Sequence, residues 1–169
     1  DDKFYTYEEL YNKIKAKQTD KDDKLIILYA SDKQAQHSYI QNAKNKGYEV
    51  LLLDSPIVSH LIQKLETSKE NIQFARVDSD HIDNLINKDK NKISKLNDDQ
   101  KKELEEIVKN IINDDKFVIK LESMDSKENP FIITNPEFMR RMKEMQQSGG
   151  GGMFGTGNMP EMFNLVINT

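Results

Sequence analysis

The residues of this chain that could do acid–base or metal chemistry are few and scattered. It has three histidines, His37, His60 and His81, and none stands at metal-ligand spacing from another. Asp78, Asp80 and Asp83 surround His81 in sequence, and a hard-cation site can be drawn from these carboxylates. The fixed glycine and closing glutamate of a calcium loop are missing, so solvated side chains and a helix cap are the expected roles. Ser31-Asp32 follows an apolar run and would sit at the carboxyl end of a sheet, where open α/β folds bind ligands. Neither G-x-G-x-x-G nor G-K-[ST] accompanies it, and helix capping is the expectation there. Cysteine is absent, which excludes disulfides, thiolate metal sites and a cysteine nucleophile. No serine–histidine or paired-carboxylate arrangement has the context of a known active site.

The soft chemistry lies in the tail. Phe138, Met142 and Met145 fall at i, i+4 and i+7, one face of a helix, with Met139 beside them. Arg140, Arg141 and Lys143 offset that face with charge. The run Gly149–Gly152 follows, without the Lys, Ser or Thr that a phosphate-cradling loop needs, and reads as a flexible joint. Met153 and Phe154 then continue the apolar groups. Methionine is flexible and polarizable, so such a cluster can adapt to many apolar partners. Two competing readings are an ordinary amphipathic helix docked on its own sheet and a membrane-surface helix, the latter short and only mildly basic. The chain reads as a binding module.

The elements that would position these groups are legible from period and caps. Thr6-Tyr-Glu-Glu9 is a capping box for a helix with Tyr7, Leu10, Tyr11 and Ile14 on one face. Leu25–Ala30 is a strand, followed by a helix opened by Ser31 or Asp32, carrying Ala35, Tyr39 and Ala43 and closed at Gly47. Tyr48–Leu53 is a second strand, apolar almost throughout as a buried parallel strand is. Asp54-Ser-Pro56 starts a helix with Ile57, Leu61, Ile62 and Leu65 inward, and Ile72–Val77 is a third strand. Residues 1–78 thus predict a small three-layer α/β sandwich. Residues 79–169 predict an α+β domain. Asp80 caps a short helix with Ile82, Leu85 and Ile86, a polar stretch runs from Asn87 to Asn97, and Asn97-Asp-Asp-Gln100 opens a longer helix. Phe117–Glu122 and Phe131–Thr134 are expected to form a hairpin, the Met helix runs from about Pro136 to Gln147, and Phe163–Asn168 is a last strand.

Composition narrows the class. At 169 residues, with 36% hydrophobic and 32% charged residues and a net charge of −4, the chain is globular, polar and unsuited to general nucleic-acid binding. No apolar run reaches the roughly 20 residues that span a bilayer. The chain opens at Asp1 without an initiator Met and stops inside a strand-like run, and so reads as an excised piece of something longer.

Taken in order, several segments resemble the HtpG-type, heat-shock-protein-90 class of molecular chaperones. Tyr29-Ala-Ser-Asp-Lys-Gln-Ala-Gln-His-Ser-Tyr39 and Lys46-Gly-Tyr-Glu-Val-Leu-Leu-Leu-Asp54 resemble the last small α/β subdomain of the family's middle region. Phe74-Ala-Arg-Val-Asp-Ser-Asp80 resembles the crossing into its carboxy-terminal domain. Phe131-Ile-Ile-Thr134, the Met helix, the glycine loop and Asn164-Leu-Val-Ile-Asn-Thr169 resemble the first half of that domain. The resemblance implies a parent protein that is an ATP-dependent, cytoplasmic, homodimeric heat-shock chaperone using ATP and Mg, without nucleic-acid or membrane partners. Its ATPase domain and dimerisation helices would lie outside this chain, leaving a fragment that is no enzyme, needs no cofactor or metal of its own, and contacts unfolded or partly folded clients. By position, Phe138, Met139, Met142 and Met145 occupy the client-facing helix, and Met153 and Phe154 continue the patch. Gln146 stands where relatives carry a large apolar residue. A second client surface falls on the helix after the second strand, where His60 replaces an aromatic. The alternative is a stand-alone α/β ligand-binding or signalling domain working at the strand carboxyl ends, near Ser31, Asp32 and Asp54.

Overall fold

A computed structural model describes residues 3–86, 94–126, 128–147 and 161–169, with residues 144–147 described by backbone alone. The chain has mixed α/β content and divides into two compact units. The first takes in the residues up to Asp78 together with the short helix α4 (Ile82–Ile86). It opens with α1 (Tyr7–Gln18), whose capping box is complete: the Glu9 amide donates to Thr6 Oγ1 (3.3 Å), and the Thr6 amide donates to Glu9 Oε2 (2.8 Å). Then follow β1 (Leu25–Ala30), α2 (His37–Asn45), β2 (Val50–Leu52), α3 (Val58–Ser68) and β3 (Ile72–Arg76). The three strands form one parallel sheet in the order β2-β1-β3, with Leu28 opposite Val50 and Leu25 opposite Ile72.

The continuous apolar run of β1 has its cause in this order. A central parallel strand with helices on both faces needs no polar side. Ile26, Leu28 and Ala30 join Ile40 and Ala43 of α2 and Ile82 and Ile86 of α4. Leu25, Ile27 and Tyr29 join Leu10 and Ile14 of α1 and Ile62 of α3. Gln18 is buried between the layers yet satisfied, its Nε2 donating to the Ile26 carbonyl (2.9 Å) and its Oε1 accepting from the Glu49 amide (2.7 Å). Gly47 ends the α2 segment at φ +78°, and its amide donates to the Lys44 carbonyl (2.9 Å).

Two expectations are corrected here. The second helix starts at His37, not at Ser31 or Asp32, because residues 32–36 form a turn held by the Asp32 carboxylate. Its Oδ1 accepts from the Gln34 and Ala35 amides (2.8 and 2.9 Å). On α3, Val58, Ile62 and Leu65 face the sheet, whereas Ile57 is 65% and Leu61 42% exposed. The inward stripe is centred one residue later than the sequence suggested, because the turn after Pro56 delays the helix to Val58.

The second unit contains α5 (Asp98–Ile112), β4 (Phe117–Glu122), β5 (Phe131–Thr134), α6 (Glu137–Gln147) and β6 (Phe163–Asn168). A capping box of Asn97 and Gln100 opens α5, and Asn113 closes it at φ 44°. The expected hairpin of Phe117–Glu122 with Phe131–Thr134 does not form. The sheet order is β4-β6-β5, with β4 parallel and β5 antiparallel to β6, so the sheet is mixed. Asn164, Leu165, Val166 and Ile167 are buried in succession, which places the last strand in the centre. Residues 123–130 are longer than a tight hairpin loop and leave room for β6 to insert. That connection is tied down by Asn168, whose Oδ1 accepts from the Met124 amide (2.8 Å) and whose Nδ2 donates to the Asp125 carbonyl (3.0 Å).

Candidate functional site

The helix α6 is built from its first turn. Pro136 precedes it, accepting through its carbonyl from the Arg140 amide (3.2 Å), and Glu137 places negative charge at the helix amino end. The Glu137 carboxylate then receives two guanidinium groups, Arg140 Nε (3.2 Å) and Arg141 Nε (2.7 Å), at i+3 and i+4. Lys143 is paired with Glu161, and that pairing holds the Glu161 carboxyl below its ordinary range.

The geometry that results is inverted. Arg140 is only 9% exposed, while Phe138 is 71% exposed. At about 100° per residue, these two side chains stand on opposite sides of the helix, with Met142 on Phe138's side. Met139 and Met142 are half-buried. Single exposed apolar residues are ordinary. A helix that turns a guanidinium inward and a phenyl ring outward is not, since burying the ring would be worth roughly 1.5–3 kcal/mol. The Met145 side chain, Met153, Phe154 and the Gly149–Gly152 joint lie outside the described residues, as does most of the polar stretch from Asn87.

His60 is on α3, in the first unit, and exposed. The outward-turned Ile57 and Leu61 are its i−3 and i+1 neighbours. Sequence reading placed both aliphatics inward and so missed the apolar surroundings of His60.

The other candidates are accounted for by local bonding. The Ser31 and Asp32 amides both donate to Gln36 Oε1 (2.8 and 2.9 Å), and Gln36 Nε2 donates to Asp78 Oδ1 (2.8 Å). The backbone donors that a ligand at the end of β1 would use are therefore engaged within the fold. Around His81 the three aspartates are separately employed. Asp78 pairs with Arg76 (2.6 Å), Asp83 with Lys46 (2.6 Å), and Asp80 Oδ1 accepts the His81 amide (2.7 Å). His81 is 3% exposed, and its Nε2 lies 3.7 Å from Glu128 Oε2, a partner 47 positions away that no local motif announces.

No family model matches the chain. Chaperone protein htpG of Bacteroides fragilis (strain YCH46) is 42% identical over 172 residues, covering 100% of this chain and 25% of that protein. Chaperone protein HtpG of Bacteroides thetaiotaomicron is 42% identical over 172 residues with the same coverage. Chaperone protein HtpG of Porphyromonas gingivalis (strain ATCC 33277) is 39% identical over 168 residues, covering 98% of this chain and 24% of that protein. A chain of two compact units, the second carrying a helix that exposes Phe138, thus aligns over its whole length with part of proteins named as chaperones. It belongs to the HtpG-type, heat-shock-protein-90 family. The chain spans about a quarter of the length of the curated relatives it matches.

Proposed function

We propose that this chain is the client-contacting segment of an ATP-dependent chaperone, holding unfolded or partly folded proteins on the outer face of α6. The observation that carries the reading is the exposed Phe138 set against the buried Arg140 on one helix. Met139 and Met142 flank the ring and, with three rotatable bonds each, can reshape to different apolar segments. Met145, Met153 and Phe154 extend the patch in sequence. His60, with Ile57 and Leu61, supplies a second, smaller surface. Each client side chain buried contributes on the order of 1–3 kcal/mol before ordering costs. Binding is therefore weak at one copy, and two copies in a dimeric parent add avidity. ATP and Mg act in the parent's other domains, and the work is cytoplasmic.

The test is titration of methyl-labelled chain with reduced, carboxymethylated α-lactalbumin, a permanently unfolded probe, followed by NMR. Shifts at the Met139 and Met142 methyls with Met124 silent are expected, and Phe138→Ser should weaken binding about threefold to tenfold. Unchanged Met139 and Met142 methyls at saturating probe would refute the assignment.

A further inference from the structure

All the sulfur in this chain is thioether. It has seven methionines and no cysteine, and every methionine except Met124 lies from Met139 onward. Among the described residues no methionine side chain is fully buried. Met139 and Met142, at i+1 and i+4 from the exposed Phe138, are half-buried, and solvent reaches both. Glu137 pairs with Arg140 and Arg141 inside α6, and Lys143 pairs with Glu161 ahead of β6.

We propose that Met139 and Met142 are sites of reversible oxidation by hydroperoxides, and that sulfoxide formation there switches off the apolar face of α6. In the forward step the thioether sulfur attacks a peroxide oxygen and the O–O bond breaks. Sulfur gains that oxygen and is oxidised by two electrons, and hydrogen peroxide leaves as water. In the reverse step a sulfoxide reductase takes the oxygen off as water at the expense of two thiols, which become a disulfide. The sulfoxide is a strong acceptor that an apolar client segment leaves unpaired, so its burial opposes binding. Both side chains already reach solvent, so the added oxygen can be hydrated, and the fold is expected to persist while the face turns polar. The switching half of this inference rests on the client-binding reading above.

The test oxidises the whole chain with hydrogen peroxide and maps sulfoxides by peptide mass spectrometry. Binding of reduced, carboxymethylated α-lactalbumin is then measured by anisotropy, and folding by circular dichroism. The expected results are sulfoxide at Met139 and Met142, an unchanged spectrum and melting curve, and binding weakened about tenfold. Treatment with both methionine sulfoxide reductases and dithiothreitol restores binding. A chain carrying Met139→Leu and Met142→Leu, whatever its own starting affinity, should lose none of it on peroxide treatment. Intact thioethers at both positions, unfolding on oxidation, undiminished binding by the oxidised chain, or equal loss in the double variant would each overturn the proposal. Failure of the unoxidised chain to bind the probe at all would instead overturn the client-binding reading, and the switch with it.

Discussion

Arg140 and Phe138 carry opposite consequences for stability. Removing Arg140 by substitution to Ala takes away a guanidinium that is 9% exposed and bonded to Glu137. Glu137 keeps Arg141, so the loss falls short of a fully stranded buried charge, and a cost of about 1–3 kcal/mol is expected. The shift in urea midpoint measures it. Phe138→Ser should change the same midpoint by no more than about 0.5 kcal/mol, since the ring touches little in the folded chain. The reverse ranking would mean that α6 docks by its Met face. Periodicity alone grouped Phe138, Met142 and Met145 on one face, but it cannot say which way that face turns. The direction is seen only in the fold, where Arg140 is covered and Phe138 is not.

The starts of α1 and α5 were legible, because a capping box is a contract between residues three apart, whereas those of α2 and α3 were not. Thr6 with Glu9 and Asn97 with Gln100 are both complete capping boxes. Asn97→Ala should destabilise the second unit by about 1 kcal/mol, read from hydrogen exchange along α5. The Thr6 amide and then its hydroxyl hold the Glu9 carboxyl below its ordinary range. A depressed carboxyl stabilises the fold above the ordinary carboxylate range and loses that contribution as pH falls through the lowered value. Glu9→Gln should therefore flatten part of the acid limb of thermal stability by slightly lowering the neutral melt, with the low-pH melt nearly in place. An unchanged acid limb in that variant would show that the cap carries no proton linkage. The outward turn of Ile57 and Leu61 was not legible, because the delayed start after Pro56 shifts the whole stripe by one residue.

At the scale of the molecule, strand order is the decisive and checkable feature. The chain lacks cysteine, so engineered pairs report it cleanly. Glu122→Cys with Asn168→Cys places thiols on directly paired positions of β4 and β6 and should form a disulfide under mild oxidant. Lys120→Cys with Ile133→Cys, opposed in a β4–β5 hairpin, should not, since two strand spacings put them about 10 Å apart. A ready link in the second pair would restore the hairpin. The amino-acid sequence by itself determined the capping boxes of α1 and α5, the buried character of β1, the turn at Gly47 and the grouping of apolar residues on α6, because each is settled by residues within a few positions of one another. The family was legible too, from the order of short segments along the chain. Only the tertiary structure decided that β6 inserts between β4 and β5, that α6 buries Arg140 and shows Phe138, and that His81 faces Glu128. Those outcomes turn on which distant partners best cover apolar surface and satisfy buried polar groups, a competition that local spacing does not record.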